Sequence, residues 1–300
     1  MVTPPALIYG DKVSLVATAR KISLKELEEG LQLIKSWGLI PVIGKTIEAS
    51  DHQYAGTDAA RAQDFQEMLD NQEIKAIWCA RGGYGSVRII DQIDFYKFVK
   101  YPKWIVGYSD VTVFHSHIHK IGFQTIHGTM PVSIPDNTAF AKATLKQALF
   151  GEQPNIQYET SHTLNRQGIA KGTLVGGNLS MLYSMCGSNS ALDTEGKILF
   201  IEDLDEYLYH VDRMIMNLKR NKMLDHLSGL IVGGMTKMHD NRIPFGKTAQ
   251  EIVMDAIGEC EYPVAFDFPS GHVDDNRALI IGATVTLEVT KNNCTLTYES

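Results

Sequence analysis

The chain has 300 residues, 44% of them apolar and 21% charged, with a formal net charge of −7. A chain of that length buries a substantial core, with two domains of roughly 100–200 residues the ordinary outcome, and an acidic balance without clustered Lys and Arg excludes a nucleic-acid partner. No run approaches the ~18 consecutive apolar residues of a membrane span, and the start lacks a basic region followed by a long apolar run, so a cytoplasmic protein with no membrane partner is expected.

The first half alternates short apolar runs with helical patterns, the signature of a parallel sheet covered by helices. "KVSLVAT" reads as the first strand. "SLKELEEGLQLIKSWG" reads as a helix capped by Ser23 with Glu26 three residues on, with Leu27, Leu31 and Ile34 on one face and a stop at Gly38. "LIPVIG" is the second strand, "DAARAQDFQEMLDN" a helix with Phe65, Met68 and Leu69 inward, and "IKAIWCA" a third strand apolar enough to be buried on both faces. "WIVGYS" is the fourth strand, followed by a helix through about Lys120, a short strand near "QTIHG" and a helix in "TAFAKATLKQALFG".

The pattern then weakens through the polar stretch "EQPNIQYETSHTLNRQG". The expected division is a domain over 1–145, a linker over 146–168 and a second α/β domain over 169–300 with a mixed sheet. In the latter, "IAKGTLVGG", "KILFIED", "LSGLIVGGM", "PVAFDFPSG" and "ATVTLEVT" read as strands. Helices are expected at "NLSMLYSMCG", "YHVDRMIMNLKRNKML" and "FGKTAQEIVMDAIG". Cys79, Cys186, Cys260 and Cys294 are scattered with no CxxC pair, so they read as reduced thiols rather than a zinc site or a redox dithiol.

Ligands of open α/β sheets gather at the carboxyl ends of the strands, and three loops there carry candidate chemistry. "ARGGYGSVRII", Ala80 to Ile90, has glycines that let backbone N–H groups face an anion or a developing oxyanion, but it lacks the spacing and lysine of a nucleotide loop. Its other reading is a tight turn before a helix. Gly107-Tyr108-Ser109-Asp110 has the layout of a nucleophile elbow, with Val111 where the last glycine usually stands. For a serine in that position capping the helix is the commoner job, although Asp110 can cap equally well and leave Ser109 free.

A serine nucleophile needs a base and a group to orient that base. His115 and His119 share a helix face at a spacing that suits zinc, but no HExxH glutamate accompanies them, and packing histidines are the better reading. His272, in the turn "FDFPSGHVDDN", is the stronger base. Glu202 ends the apolar strand "KILFIEDLDEY" and suits the orienting carboxylate, with Asp203, Asp205 and Glu206 as alternatives that spacing does not separate.

"AGTDAARAQDF", "ARGGYGSVRII", "GYSDVT", "GGNLSML", "IEDLDEYLYHVDRM" and "FPSGHVDDN" stand in an order and at separations that closely resemble the LD-carboxypeptidases, serine peptidases that trim bacterial cell-wall peptides; immunity peptidases against microcin C share the family. The resemblance implies a triad of Ser109, Glu202 and His272, and an oxyanion hole from the backbone N–H groups of Asp110 and Gly83. It implies a Rossmann-like N-terminal domain with the serine, a C-terminal α/β domain with the glutamate and histidine, a homodimer, and no metal or other cofactor. "VATAR" stands where the family carries Pro-Ser after "VA", which removes the expectation of a substrate contact from Thr18 or Ala19.

The implied substrate is a murein tetrapeptide that loses its terminal D-alanine. Its free carboxylate calls for a cation, with Arg81 and Arg88 as candidates beside Tyr84 in the glycine loop. Asn178 either reaches the cleft or caps the next helix. The rivals are hydrolysis of a peptidyl or aminoacyl nucleotide, disfavoured because the chain is short for that branch and the loop that would stack on a base offers Tyr207 and Tyr209 but no tryptophan, and a non-catalytic sensor of small ligands between two α/β domains. A metal-dependent hydrolase built on His115 and His119 is the most remote.

Overall fold

The computed structural model describes residues 1–299. In the first half, β1 (Lys12–Val16), α1 (Glu28–Ser36), β2 (Ile40–Ile43), α2 (Asp58–Asp70) and β3 (Ile74–Cys79) follow one another, then α3 (Tyr96–Lys100), β4 (Trp104–Gly107), α4 (Thr112–Lys120), β5 (Thr125–His127) and α5 (Ala139–Leu149). The second half runs β6 (Ile156–Glu159), β7 (Gly168–Asn178), α6 (Leu179–Ser184), β8 (Ile198–Leu204), α7 (Leu208–Arg220), β9 (Gly229–Thr236), α8 (Ala249–Ala256), β10 (Val264–Ala265), β11 (Leu279–Ile281), β12 (Thr284–Val289) and β13 (Asn293–Tyr298).

One sheet has the order β11-β5-β4-β3-β1-β2, with β1 to β5 parallel and β11 antiparallel at the edge. The other, β10-β9-β8-β7-β12-β13-β6, is parallel from β10 to β7 and antiparallel from β7 to β6, a mixed sheet as expected. The continuous apolar runs occupy the central strands. Ile77, Trp78, Ile105 and Val106 in one sheet, and Leu199, Phe200, Ile201, Ile231 and Val232 in the other, are buried because helices or loops cover both faces. α7 needs only one covered face, and it buries Val211, Met214, Ile215 and Leu218.

Several elements differ from the sequence reading. Ser23 and Glu26 do exchange hydrogen bonds, but the turn after them is a 3₁₀ helix, Lys25–Leu27, and α1 begins only at Glu28. "PVAFDFPSG" yields just two ladder residues, since Asp267 sits at φ 55° and Pro269 has no N–H to give. β6 lies inside the stretch expected as a linker, and it pairs with β13, which was not anticipated. β11 was not anticipated either, and it crosses to the first sheet.

The two sheets meet where α4 approaches the end of β7. A Cβ at Gly177 would fall 2.5 Å from the Thr112 Oγ1, so only glycine allows this approach. The same Thr112 Oγ1 accepts the Asn178 N–H at 3.0 Å. The carboxyl ends of β4 and β7 are thereby brought side by side.

Candidate active site

Ser109 follows β4 and opens a 3₁₀ turn, Ser109–Val111, that leads into α4. Its φ of 62° places a residue with a Cβ in the left-handed region, a conformation that costs about 1–3 kcal/mol and is held only where neighbours enforce it. The enforcement comes from Asp110, which is buried and accepts the Ser86 N–H through Oδ2 at 2.7 Å, fastening the turn to the glycine loop. Asp110 therefore caps nothing in α4. Ser109 does not cap either, and its Oγ makes no hydrogen bond among the described residues. The glycine loop passes directly over it, since a Cβ at Gly82 would lie 3.3 Å from that Oγ. Gly83 turns at φ 115°, and neither its amide nor that of Asp110 donates to a backbone carbonyl among the described residues.

Glu202 and His272 form a pair. The carboxylate is fully buried in β8, and its Oε2 accepts the His272 backbone N–H at 3.1 Å and lies 2.6 Å from Nδ1. A carboxylate at Nδ1 fixes the proton there and leaves Nε2 as the free acceptor. Burial pushes the imidazole down, but the Glu202 charge and hydrogen bond, helped by Asp203, outweigh it and raise His272 above the ordinary histidine value. The turn is fastened by the Thr236 hydroxyl donating to the His272 carbonyl at 3.1 Å and by the Gly271 N–H donating to Asn276 Oδ1 at 2.8 Å.

Tyr108 joins the serine to this pair, with its ring centroid 4.9 Å from that of His272 while it directly precedes Ser109. Gly271 matters for the pair itself. It sits at φ 100°, and a Cβ there would meet Glu202 Oε2 at 2.7 Å. Gly271→Ala is expected to cost about 1–3 kcal/mol of stability from strain alone, seen as a lower thermal-unfolding midpoint; an unchanged midpoint would mean that the turn relaxes freely.

The other acids are engaged elsewhere. Asp203 takes the Asn178 amide at 2.9 Å and the Ser180 and Leu204 N–H groups, and burial next to the Glu202 charge pushes it up to about 6. Asp205 pairs with His239 at 2.6 Å, and Glu206 with His210 at 2.5 Å. His115 is a satisfied core histidine, with Nδ1 2.8 Å from Thr125 Oγ1 and Nε2 2.9 Å from the Gly107 carbonyl, and burial lowers it to about 4. His119 is likewise lowered to about 4 by burial.

The proposed substrate contacts fare differently. Asn178 takes the capping alternative, accepting the Met181 N–H at the start of α6 and holding Asp203, so it is 4% exposed and offers nothing to a cleft. Arg88 is bound through Nε to both oxygens of Asp58, at 3.0 and 2.9 Å, and Arg81 turns to the Lys21 carbonyl and Glu26. Neither guanidinium is free. Tyr84 is exposed, with its ring 6.3 Å from that of Tyr54. Thr18 is buried, with its hydroxyl 2.8 Å from Ser86 Oγ.

A cavity of about 420 Å³ opens beside His272, lined among others by Tyr108, Ser133, Asp136, Asn137 and Lys237. Lys237 went unnoticed in the sequence, where "MTKMHD" carries no motif. So did His127, buried 5.9 Å from the Tyr108 ring with neither ring nitrogen hydrogen-bonded and its basicity suppressed by burial.

Family models for the LD-carboxypeptidase N-terminal and C-terminal domains match residues 13–128 and 171–287. A probable murein peptide carboxypeptidase from Bacillus subtilis is 35% identical, with 98% of this chain and 93% of that protein covered. The microcin C7 self-immunity protein MccF of Escherichia coli is 26% identical over 98% of this chain and 95% of its own. The crystal structure of a muramoyltetrapeptide carboxypeptidase from Oxalobacter formigenes superimposes with a TM-score of 0.87 at 25% identity, over 96% of this chain and 99% of that one. With both halves of the chain matched in order, the protein belongs to the LD-carboxypeptidase family.

Proposed function

We propose that this protein is a serine carboxypeptidase that releases the terminal D-alanine of a murein tetrapeptide, with Ser109 as nucleophile, His272 as base and Glu202 as the orienting carboxylate. The observation that carries the reading is the buried Glu202–His272 pair packed on Tyr108, next to a serine held at φ 62° with an uncommitted hydroxyl. His272 Nε2 takes the Ser109 proton as Oγ attacks the scissile carbonyl, and the proton then passes to the leaving amine of D-alanine. Water enters against the acyl-enzyme in the same way, returning the proton to Ser109. The free amides of Gly83 and Asp110 are suited to the developing oxyanion, each such donor contributing roughly 3 kcal/mol in comparable hydrolases.

The test is mass spectrometry of the purified protein incubated with murein tetrapeptide and with its all-L counterpart. Loss of one D-alanine from the first alone is expected. Cleavage of neither peptide, with hydrolysis of an aminoacyl nucleotide instead, would transfer the assignment to the immunity branch. Exposed Tyr207 and Tyr209, 5.7 Å apart between ring centroids, are the feature that favours that branch. A sensor without catalysis has no use for a strained serine beside a carboxylate-paired histidine.

The raised His272 also fixes the pH response. The base must be neutral, so kcat/KM is expected to fall as pH drops through its elevated value, placing the acid limb above ~6.5. Stability moves the other way: a raised native value contributes stability that is complete below the unfolded value near ~6.5 and is lost as pH rises through the native one. A pH profile of kcat/KM with its acid limb below that point would contradict the assignment of His272 as base.

A further inference from the structure

We infer that Lys237 binds the terminal carboxylate of the substrate, forming the subsite for the residue that leaves; this rests on the peptidase reading above. An enzyme that removes only the last residue of a peptide gains that selectivity by recognising the free carboxylate within one residue of the scissile bond, and a cation does so with the strongest hydrogen bond. The side of the serine on which that cation must lie follows from the proton path. His272 hands its proton to the leaving amine, so the departing residue sits on the histidine side of Ser109, and its carboxylate lies a short step beyond.

Lys237 lines the cavity that opens there, together with His272 itself. It stands immediately after β9 and next to Thr236, whose hydroxyl is bonded to the His272 carbonyl. Its charge is close enough to weigh on the His272 imidazole. It makes no ion pair among the described residues. Its backbone adopts φ 52°, a left-handed conformation that a lysine rarely takes without a local reason.

The other basic side chains near the cleft fit the role less well. Arg88 is held by Asp58, and Arg81 by Glu26 and the Lys21 carbonyl. Arg20 drapes its side chain over Gly83, where a Cβ would lie 2.6 Å from Arg20 Cδ, and this is the oxyanion side rather than the histidine side. The cavity also presents Asp136 and Asp274. These carboxylates sharpen the expectation: with Lys237 in place the cavity accepts a carboxylate, and without it two like charges face one.

The experiment measures binding rather than turnover, using full-length Ser109→Ala protein so that substrate persists. Titration calorimetry compares murein tetrapeptide ending in free D-alanine with the same peptide ending in D-alanine amide, in Ser109→Ala alone and combined with Lys237→Met or Lys237→Arg. Ser109→Ala should prefer the acid by about 10- to 100-fold, the range of a charge-assisted hydrogen bond. Lys237→Met should abolish or invert that preference with little change for the amide, and Lys237→Arg should restore most of it. Equal weakening of both peptides by Lys237→Met, or an intact preference, overturns the inference, provided that thermal unfolding confirms a folded variant; if it does not, the Lys237→Arg comparison decides by itself. A Lys237-dependent preference for the acid, with no cleavage by the unmutated protein, would instead reject the peptidase reading and leave the carboxylate site standing. Absence of binding to either peptide overturns both.

Discussion

Ser109→Ala is expected to reduce kcat on murein tetrapeptide by about 10⁴-fold or more, the scale of losses seen when a serine peptidase loses its nucleophile, while KM changes little. The structural reason is that no neighbouring hydroxyl can stand in: Ser86 Oγ is bonded to Thr18 and Ser133 Oγ to the Tyr108 hydroxyl. A companion variant separates chemistry from strain. Ser109→Gly should be as inactive and yet more stable, by about 1 kcal/mol, because it removes the Cβ that makes φ 62° unfavourable. Thermal unfolding reads the second effect. If Ser109→Gly proved less stable than the parent, the turn would not be holding strain, and residual turnover in Ser109→Ala would place the nucleophile elsewhere.

Glu202→Gln is expected to cost about 10⁴-fold in kcat, as when the orienting carboxylate of a triad becomes an amide and the imidazole takes the wrong tautomer. The pH profile gives a second signature that a purely structural role would not produce. Glu202 is what lifts His272 against its burial, so the acid limb of kcat/KM should move to lower pH in the variant. A large loss of activity with an unmoved limb would mean that Glu202 supports the fold and that His272 is tuned by another group. Asp203 is the other charge that raises it, and Asp203→Asn is therefore the control, expected to shift the limb only slightly.

Much of this was legible from residues alone. β1, β3, β4, β8 and β9 announce themselves because strands buried on both faces have to be largely apolar, β2 and β7 are only partly buried and show as short apolar runs between turn residues, and the elbow at Ser109 is visible because a strand, a serine and a helix abut. Elements that depend on a distant partner were not visible. β6 has only Ile156 and Tyr158 facing inward and exists because β13 lies beside it. β11 is three residues long and borrows its ladder from β5. β13 does alternate, burying Cys294, Leu296 and Tyr298, and the pattern was there to be read.

The same limit governed the site. Glu202 was separable from Asp203 only by the family resemblance, since both are buried and which of them reaches His272 depends on the turn at Gly271, nearly seventy residues away. Arg88 looked available because its partner Asp58 lies thirty residues upstream. Lys237 drew no attention because a lysine after a strand is ordinary; its φ and its neighbours make it noticeable.

The route of the chain around His272 has a mechanical consequence. Between β10 in one sheet and β11 in the other, the polypeptide passes through the histidine turn, then returns to the second sheet as β12. The turn is also tied to the first half by Asn137 and Thr138, which donate to the Asp274 carbonyl at 2.8 and 3.0 Å. The histidine thus rides on a tether anchored at both ends in different sheets, and any rocking of one sheet against the other pulls directly on it. The two halves are stitched rather than merely stacked: heating should melt them in one cooperative step, and halves produced as separate chains, cut anywhere from 146 to 168, would leave the first sheet without its edge strand and the His272 turn without its mooring.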